Sequence, residues 1–324
     1  MKKNYRWGIL GAGRIAEKFC EAINFTEGAE VYAVASRDVD NANAFATRHK
    51  ASKVYTNYTD LVKDGDVDIV YIATPHAFHY QQTLLCLQHN KAVLCEKPMS
   101  LSLKQTAEMI EVAEKNKLFF MEGMWTACMP FIDKILSLIK EDVIGEPQYV
   151  SADFGFFAPL DPKGRLFDKA LGGGSVMDIG IYPIFLATLI LGEPTDIKTV
   201  SKLTNTGVDE YANVVMQYAN GQTAHILSTI NINTPIEAEI IGTKGRIKIS
   251  NPWFKATELS VILNNGTIQN FSMPHGSNGF EHEVKEVMAC LDKGLLQSTK
   301  VPHQLTLSIS KTMDEILKQA GVSY

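Results

Sequence analysis

Tyr5-Arg6-Trp7-Gly8-Ile9-Leu10 reads as a strand, and Gly11-Ala12-Gly13-Arg14-Ile15-Ala16 follows it without a linker before a helical stretch to about Phe25. The glycine spacing is Gly-x-Gly-x-x-Ala, set between a strand and a helix. Gly11 permits the tight turn, Gly13 lets backbone approach a pyrophosphate, and Ala16 lets helix and strand pack closely. Arg14 and Ile15 open the helix, whose N-terminal N–H groups favour an anion. Such a turn also occurs without a ligand. At the head of a βαβ pattern it predicts a dinucleotide site.

That pattern continues. Glu30 to Ala35 is a second strand, and a helix from about Val39 to Lys50 places Ala42, Phe45 and Ala46 on one face. Val67 to Ala73 is a buried strand ending in Thr74-Pro75-His76, with His79 close behind. Helices from about Tyr80 to Asn90 and Leu103 to Asn116 lead to the strands Ala92–Glu96 and Leu118–Glu122. Strands alternating with helices of this length predict a parallel, doubly wound sheet. The second strand ends in Ser36-Arg37-Asp38. A hydroxyl and a guanidinium suit a 2′-phosphate better than a ribose diol, so NADP is expected, with Asp38 keeping NAD open. His79 reads either as a residue on the nicotinamide side or as a capping or surface histidine.

Ala92-Val93-Leu94-Cys95 ends in Glu96-Lys97-Pro98. Open α/β sheets bind ligands outside the carboxyl ends of their strands, which is where Lys97 falls. A lysine held there beside a cofactor can take part in proton transfer. Pro98 ends the ladder and keeps Lys97 extended. An isolated Glu-Lys-Pro reads as a surface lysine after a strand; the fingerprint upstream turns the reading towards catalysis.

In the second half, Pro130 to about Glu141 has helical spacing, and Tyr149 to Phe156 reads as a strand. Phe154 on it either walls a pocket or packs in the core. Gly172-Gly173-Gly174 then precedes Asp178 and Tyr182. The glycines allow close approach of a ligand to a helix start. Asp178 and Tyr182, four apart, share one helix face. That face is expected to point at Lys97, where a phenol near an ammonium works as general acid and base. Otherwise Tyr182 belongs to the buried face of a helix. Strands at about 212–218, 223–232, 237–241, 246–250, 259–263 and 268–273, with Asn220-Gly221 and Asn265-Gly266 turns, predict a largely antiparallel sheet of about half a dozen strands. One face of such a sheet needs covering, and dimerisation covers it. Helices from about Phe280 to Lys293 and His303 to Ala320 close the chain.

Size and charge exclude other classes. At 324 residues the chain exceeds one ordinary core. A net charge of −5 with scattered Lys and Arg gives no support for nucleic acid or an anionic membrane as partner. Five cysteines without a Cys-x-x-Cys fit reduced thiols in the cytoplasm. Met1-Lys2-Lys3 is not followed by a long apolar stretch, and no run of membrane-spanning length stands out. No metal site is expected.

The chain resembles the glucose–fructose oxidoreductase/inositol dehydrogenase (Gfo/Idh/MocA) family over nearly its whole length. The carriers are Gly8 to Ala16, Ala73-Thr74-Pro75-His76 with His79, Glu96-Lys97-Pro98, and Gly172-Gly173-Gly174 with Asp178 and Tyr182. Within it, Met121-Glu122-Gly123-Met124-Trp125-Thr126 and Ile179-Gly180-Ile181-Tyr182 are similar to the branch of dimeric dihydrodiol dehydrogenases and NADP-linked D-xylose dehydrogenases. Ala127 stands where that branch usually has a basic residue. The resemblance implies that Lys97 and Tyr182 are the catalytic pair, that aromatic residues at the places of Trp253 and Phe280 line the substrate pocket, and that dimers form through the outer sheet face.

The expected fold is α/β: an N-terminal Rossmann doubly wound parallel sheet over 1–123, then a substrate-binding and dimerising α/β domain with an open, largely antiparallel sheet over 124–324. The expected activity is NADP-dependent hydride transfer at a secondary alcohol of a sugar or cyclic diol. Lys97, Tyr182 and Asp178 are the candidate catalytic residues. Gly11, Gly13, Arg14, Ile15, Ser36, Arg37, Thr74, Pro75, His79, Glu96 and Lys97 are candidates for the cofactor. Trp125, Phe154, Asp178, Tyr182, Trp253 and Phe280 are candidates for the substrate. A sugar oxidoreductase with tightly held cofactor and a cofactor-sensing binding protein are the alternatives.

Overall fold

The computed structural model describes residues 4–324; Met1-Lys2-Lys3, from which the leader reading starts, lie outside the described residues. Two compact units are present, Met1–Cys128 with His275–Thr306, and Met129–Pro274 with Leu307–Tyr324. In place of a single cut after residue 123, the chain returns to its first unit near the C-terminus.

The first unit alternates strictly. β1 (Tyr5–Leu10), α1 (Arg14–Phe25), β2 (Ala29–Ala35), α2 (Val39–His49), β3 (Lys53–Tyr55), α3 (Tyr58–Lys63), β4 (Ile69–Ile72), α4 (His79–Gln88), β5 (Ala92–Glu96), α5 (Leu103–Lys115) and β6 (Phe120–Gly123) follow in order. The strands pair in the order β3-β2-β1-β4-β5-β6, all parallel. This is the doubly wound order of dinucleotide-binding sheets, with the crevice at the carboxyl ends of β1 and β4 where the order reverses. β4 and β5 are buried at every position, as strands covered on both faces must be. β3 escapes the sequence pattern because it has only three half-buried residues.

The second unit starts with α6 (Pro130–Lys140) and β7 (Pro147–Gly155). α7 (Ile181–Leu191) follows a π-helical turn, Val176–Gly180. Then come β8 (Asp196–Leu203), β9 (Asp209–Gln217), β10 (Thr223–Thr229), β11 (Ala238–Gly242), β12 (Gly245–Ile249), β13 (Glu258–Leu263) and β14 (Ile268–Ser272). The sheet has eight strands, in the order β14-β13-β12-β11-β7-β10-β9-β8. Every pair is antiparallel except β7 with β10, so it is mixed and larger than the expected half-dozen. β8 supplies part of the difference; its side chains are mostly solvent-facing and lack an apolar alternation.

α7 packs on β7 and β10. Ile181 through Thr188 are all buried, the mark of a helix enclosed on every side. The segment Lys169–Leu191 is, by length and composition, apolar enough to cross a membrane, but 83% of its apolar window is buried inside the protein, as in a core helix. The opposite sheet face is bare: Val200 is 68% and Val215 50% exposed. The chain closes with α8 (Phe280–Asp292) and α9 (His303–Ala320).

Candidate active site

In the first unit, β1 ends against Gly11, whose φ of +96° is the left-handed geometry that only glycine adopts cheaply. A Cβ there would also come within 3.1 Å of the Ala73 carbonyl oxygen. Gly13 is different. A Cβ on it would meet nothing nearer than the Ala73 carbonyl at 4.0 Å, so protein packing does not demand glycine. Gly13 is also the N-cap of α1, and no side chain among the described residues caps that helix. Open N–H groups beside unfilled space are what a dinucleotide pyrophosphate requires. Arg14 is exposed and Ile15 half-buried alongside.

At the end of β2, Ser36 is buried and its Oγ accepts the Asp38 N–H at 3.3 Å. The Asp38 carboxylate accepts the Asn41 N–H at 3.0 Å as the N-cap of α2. Asn41 in turn donates to the Ala12 carbonyl at 3.0 Å, tying α2 to the glycine turn. Arg37 is exposed, its guanidinium 5.6 Å from the centre of the Phe78 ring. Burial raises the Tyr58 phenol, and Arg37 beside it works the other way. Phe78 and Tyr58 were not legible as neighbours of Arg37, since Tyr58 starts α3 and Phe78 lies on the connection after β4.

The Thr74-Pro75 loop and the Lys97 turn are clamped together by His79. Its Nδ1 lies 2.8 Å from the Pro98 carbonyl oxygen and its Nε2 2.8 Å from that of Thr74. The ring is completely buried, and burial, helped by the Lys97 charge, moves its pKa below the usual value. Both nitrogens lie at hydrogen-bond distance from backbone carbonyls, and a neutral ring can donate to only one of them. Thr74 Oγ1 donates to Gln82 Oε1 at 2.6 Å. The Lys97-Pro98 bond is cis.

Carboxylates surround that turn. Glu96 is buried, takes the Tyr71 hydroxyl as a donor, and accepts the Lys97 N–H at 3.2 Å. Glu122 accepts the Met99 N–H at 2.9 Å and the Thr306 hydroxyl at 3.0 Å. Burial pushes Glu122 up to about 7 against those two bonds and the Lys97 charge. Glu283 on α8 is fully buried, and neither oxygen has a hydrogen-bond partner among the described residues. Burial first, then the Glu96 charge, raise it well above the carboxylate range, so it is a neutral acid. Its signal in the sequence is a glutamate on the apolar stripe Phe280, Val284, Val287. Phe280 stacks on Trp125 at 4.1 Å and meets Phe19 at 6.0 Å, and Phe19 stacks on Tyr71 at 3.8 Å. Trp125 and Phe280 are almost wholly buried by this column of rings.

In the second unit, Asp178 lies on the π-helical turn and Tyr182 on the first turn of α7. Such turns are frequent at functional sites. Asp209 caps the turn, accepting from Ser175 Oγ at 2.6 Å and Val176 N at 2.7 Å. Burial raises it to about 6. Two of the glycines upstream are required by packing. A Cβ on Gly174 would lie 2.3 Å from Asp209 Oδ1, and one on Gly173 2.7 Å from the Leu166 carbonyl. Asp178 accepts both arms of Arg165, at 2.5 and 3.4 Å, an interaction the sequence reading missed because Arg165 sits in an irregular loop. Phe154 stacks on Phe254 at 4.5 Å, and the Tyr182 ring lies 5.5 and 5.4 Å from the two. Trp253, expected in the pocket, is 0% exposed and donates its indole N–H to the Asp153 carbonyl at 2.9 Å. Its neighbour Phe254 is the residue that joins Phe154 and Tyr182.

A parallel sheet in this order, an uncapped helix behind Gly-x-Gly and a lysine at a strand end define a nicotinamide-dinucleotide oxidoreductase. Comparison with known proteins carries this further. Residues 5–124 match the model of an oxidoreductase family with an NAD-binding Rossmann fold, and 132–248 match the GFO/IDH/MocA C-terminal domain. The chain is 35% identical over 331 residues to a trans-1,2-dihydrobenzene-1,2-diol dehydrogenase of Xenopus tropicalis, covering 98% of this chain and 99% of that protein. The human enzyme of that name is 32% identical, with 98% of both covered. Among solved structures, the 3-ketoreductase KijD10 of Actinomadura kijaniata with NADP superposes with a TM-score of 0.86 at 25% identity over 98% of both chains. The aldose–aldose oxidoreductase of Caulobacter crescentus has a TM-score of 0.89 at 24% identity, again over 98% of both, and supports the fold. The chain belongs to the Gfo/Idh/MocA oxidoreductase family. It is an NAD(P)-dependent dehydrogenase acting on CH–OH groups.

Proposed function

We propose that the chain oxidises a secondary alcohol of a sugar or cyclic trans-diol with NADP⁺, and reduces the corresponding carbonyl in reverse. The relatives named dihydrodiol dehydrogenases support the substrate class. The cofactor choice rests on the end of β2. Asp38, the acid that would bind a ribose diol, is occupied as the cap of α2. Ser36 and the exposed Arg37, backed by Phe78, offer a hydroxyl and a guanidinium to a 2′-phosphate.

The pyrophosphate would lie on the α1 N-terminus at Gly11, Gly13, Arg14 and Ile15, with Thr74, Pro75, Glu96 and Lys97 bordering the nicotinamide. When bound, the nicotinamide accepts or returns hydride. Lys97 supplies positive charge to the alkoxide that develops on the substrate oxygen. Tyr182 takes and returns the hydroxyl proton. Asp178 acts with Arg165 to hold the substrate, and Phe154 and Phe254 give the sugar or diol ring an apolar wall. His79 and Glu96 set the Lys97 turn. We assign Trp125 and Phe280 to the substrate side of the first unit.

The chain works as a cytoplasmic homodimer in this proposal. Its five cysteines are free and buried, and the bare sheet face presents Val200 and Val215 to a second copy. The test is NADP⁺ and NAD⁺ reduction, followed by absorbance, across aldoses, inositols and trans-dihydrodiols, with light scattering to measure mass. Turnover with NADP⁺ on one substrate class is expected. Turnover with NAD⁺ alone would overturn the reading of Ser36 and Arg37. NADPH binding without turnover on any substrate would favour a cofactor sensor.

A further inference from the structure

Between β14 and α8 the chain reads Pro274-His275-Gly276-Ser277-Asn278-Gly279-Phe280-Glu281-His282. The segment is held within the first unit. Asn278 donates to the Lys18 carbonyl at 2.8 Å and to Glu21 at 3.2 Å, both on α1. A Cβ on Gly276 would come within 3.2 Å of the Phe25 ring at the end of the same helix. The fold thereby brings two imidazoles and one carboxylate together. The potential donor atoms of His275, Glu281 and His282 all lie within 4.8 Å of one another.

We propose that these three residues form a binding site for a first-row divalent cation of the zinc class, distinct from the cofactor and substrate residues. Geometry, donor type and support all point this way. His282 Nε2 is 3.7 Å from Glu281 Oε1. That is too long for a hydrogen bond. It is close to the separation of roughly 3.4 Å between two ligands of a tetrahedral ion with bonds of 2.0–2.1 Å. His282 Nε2 is itself buried and has no hydrogen-bond partner among the described residues. The rings of His275 and His282 are 5.5 Å apart, inclined at 62°.

Two imidazoles with one carboxylate suit zinc, cobalt or nickel and not calcium or magnesium, which prefer oxygen throughout. The carboxylate is already oriented by other groups, as metal ligands are. Glu281 is 1% exposed and accepts the Ser277 N–H at 2.8 Å on one oxygen and the Gly279 N–H at 2.6 Å on the other. Three protein ligands leave a fourth position for water. Phe280, stacked on Trp125, lies within the ligand loop, so an ion there would stiffen that aromatic pair.

The experiment uses the full chain, freed of any histidine tag and stripped with a chelator, titrated calorimetrically with Zn²⁺ and followed with Co²⁺ by visible absorption. One ion per chain is expected. The Co²⁺ spectrum should show ligand-field bands without a thiolate charge-transfer band, which separates this site from the cysteines. His275→Ala and His282→Ala should each weaken Zn²⁺ by about tenfold or more while keeping the circular dichroism of the parent. Zn²⁺ should raise Tm in the parent and not in these variants. Absence of saturable binding would overturn the proposal, as would unchanged affinity in both well-folded histidine variants.

Discussion

Trp253 and Phe254 are neighbours in sequence with opposite surroundings, and substituting each in turn separates packing from substrate contact. Trp253 is 0% exposed and anchors the Asp153 carbonyl with its indole N–H. Trp253→Ala leaves a large cavity and an unmet acceptor, which costs about 3–5 kcal/mol. For a unit of this size each kcal/mol shifts Tm by about 2–4 °C, so a loss of about 6–20 °C is expected. Phe254 is half-buried, and Phe254→Ala removes its stack on Phe154, about 0.5–1.5 kcal/mol, with part of its apolar burial. Its Tm should fall by only a few degrees, roughly 2–8 °C. If the ring walls the substrate, kcat/KM should fall about tenfold or more, mainly through KM. Calorimetry of both variants with steady-state kinetics at a temperature where both are folded gives the comparison. Trp253→Ala with parental Tm, or Phe254→Ala with parental KM, would refute the division of roles.

Lys97→Met should abolish turnover and leave NADPH affinity nearly unchanged by fluorescence titration; near-normal kcat would end its catalytic assignment. Arg37→Ala should weaken NADP⁺ by about 10–100-fold, the value of a charge-assisted bond to phosphate, with little effect on NAD⁺, measured as KM for each. Glu122 is raised in the fold to about 7 from an ordinary 4.5, so the folded chain binds its proton more tightly than the unfolded one. Its contribution to stability is therefore fully present below about pH 4.5 and is lost as pH rises to about 7, by up to about 3 kcal/mol from this group. Asp209, raised to about 6, contributes in the same direction at lower pH. Glu122→Gln should flatten the fall in urea midpoint between about pH 5 and pH 8; an unchanged slope would remove Glu122 as its source.

The first unit was legible because its signals are local. Each strand of the βα alternation except β3 carries its own apolar run, and Gly11, Gly13 and Ala16 act within one turn. The second unit was less legible because its sheet is assembled from distant pieces. The parallel pairing of β7 with β10 joins segments separated by α7, β8 and β9, and nothing local in Tyr149–Gly155 announces it. The candidate site residues divide in the same way. Lys97, Asp178 and Tyr182 could be named from motifs, but Arg165 and Phe254 reach their positions through loops. Trp253 and Phe254 differ by one residue, which in a short connection reverses the facing of a side chain. The glycines have a further, non-local reason: a Cβ on Gly174 would meet Asp209, thirty-five residues later in the chain.

The acids around Lys97 show what such motifs leave unsaid. Glu-Lys-Pro suggests a lysine balanced by one carboxylate. The structure places Glu96, Glu122 and Glu283 in the same buried region, and three full negative charges there would be prohibitive. Hydrogen bonds set two of them apart from the third. Glu96 has the Tyr71 hydroxyl and the Lys97 N–H, Glu122 has the Met99 N–H and the Thr306 hydroxyl, and Glu283 has neither kind of donor. Burial raises Glu122 to about 7, so its charge changes near neutrality, and burial with the Glu96 charge raises Glu283 well above its ordinary value. Lys97 then faces a carboxylate environment whose charge changes near neutrality. Any influence of pH on the Lys97 turn should accordingly shift when Glu122 becomes glutamine, and not when Glu283 does, since the latter substitution replaces one neutral group by another.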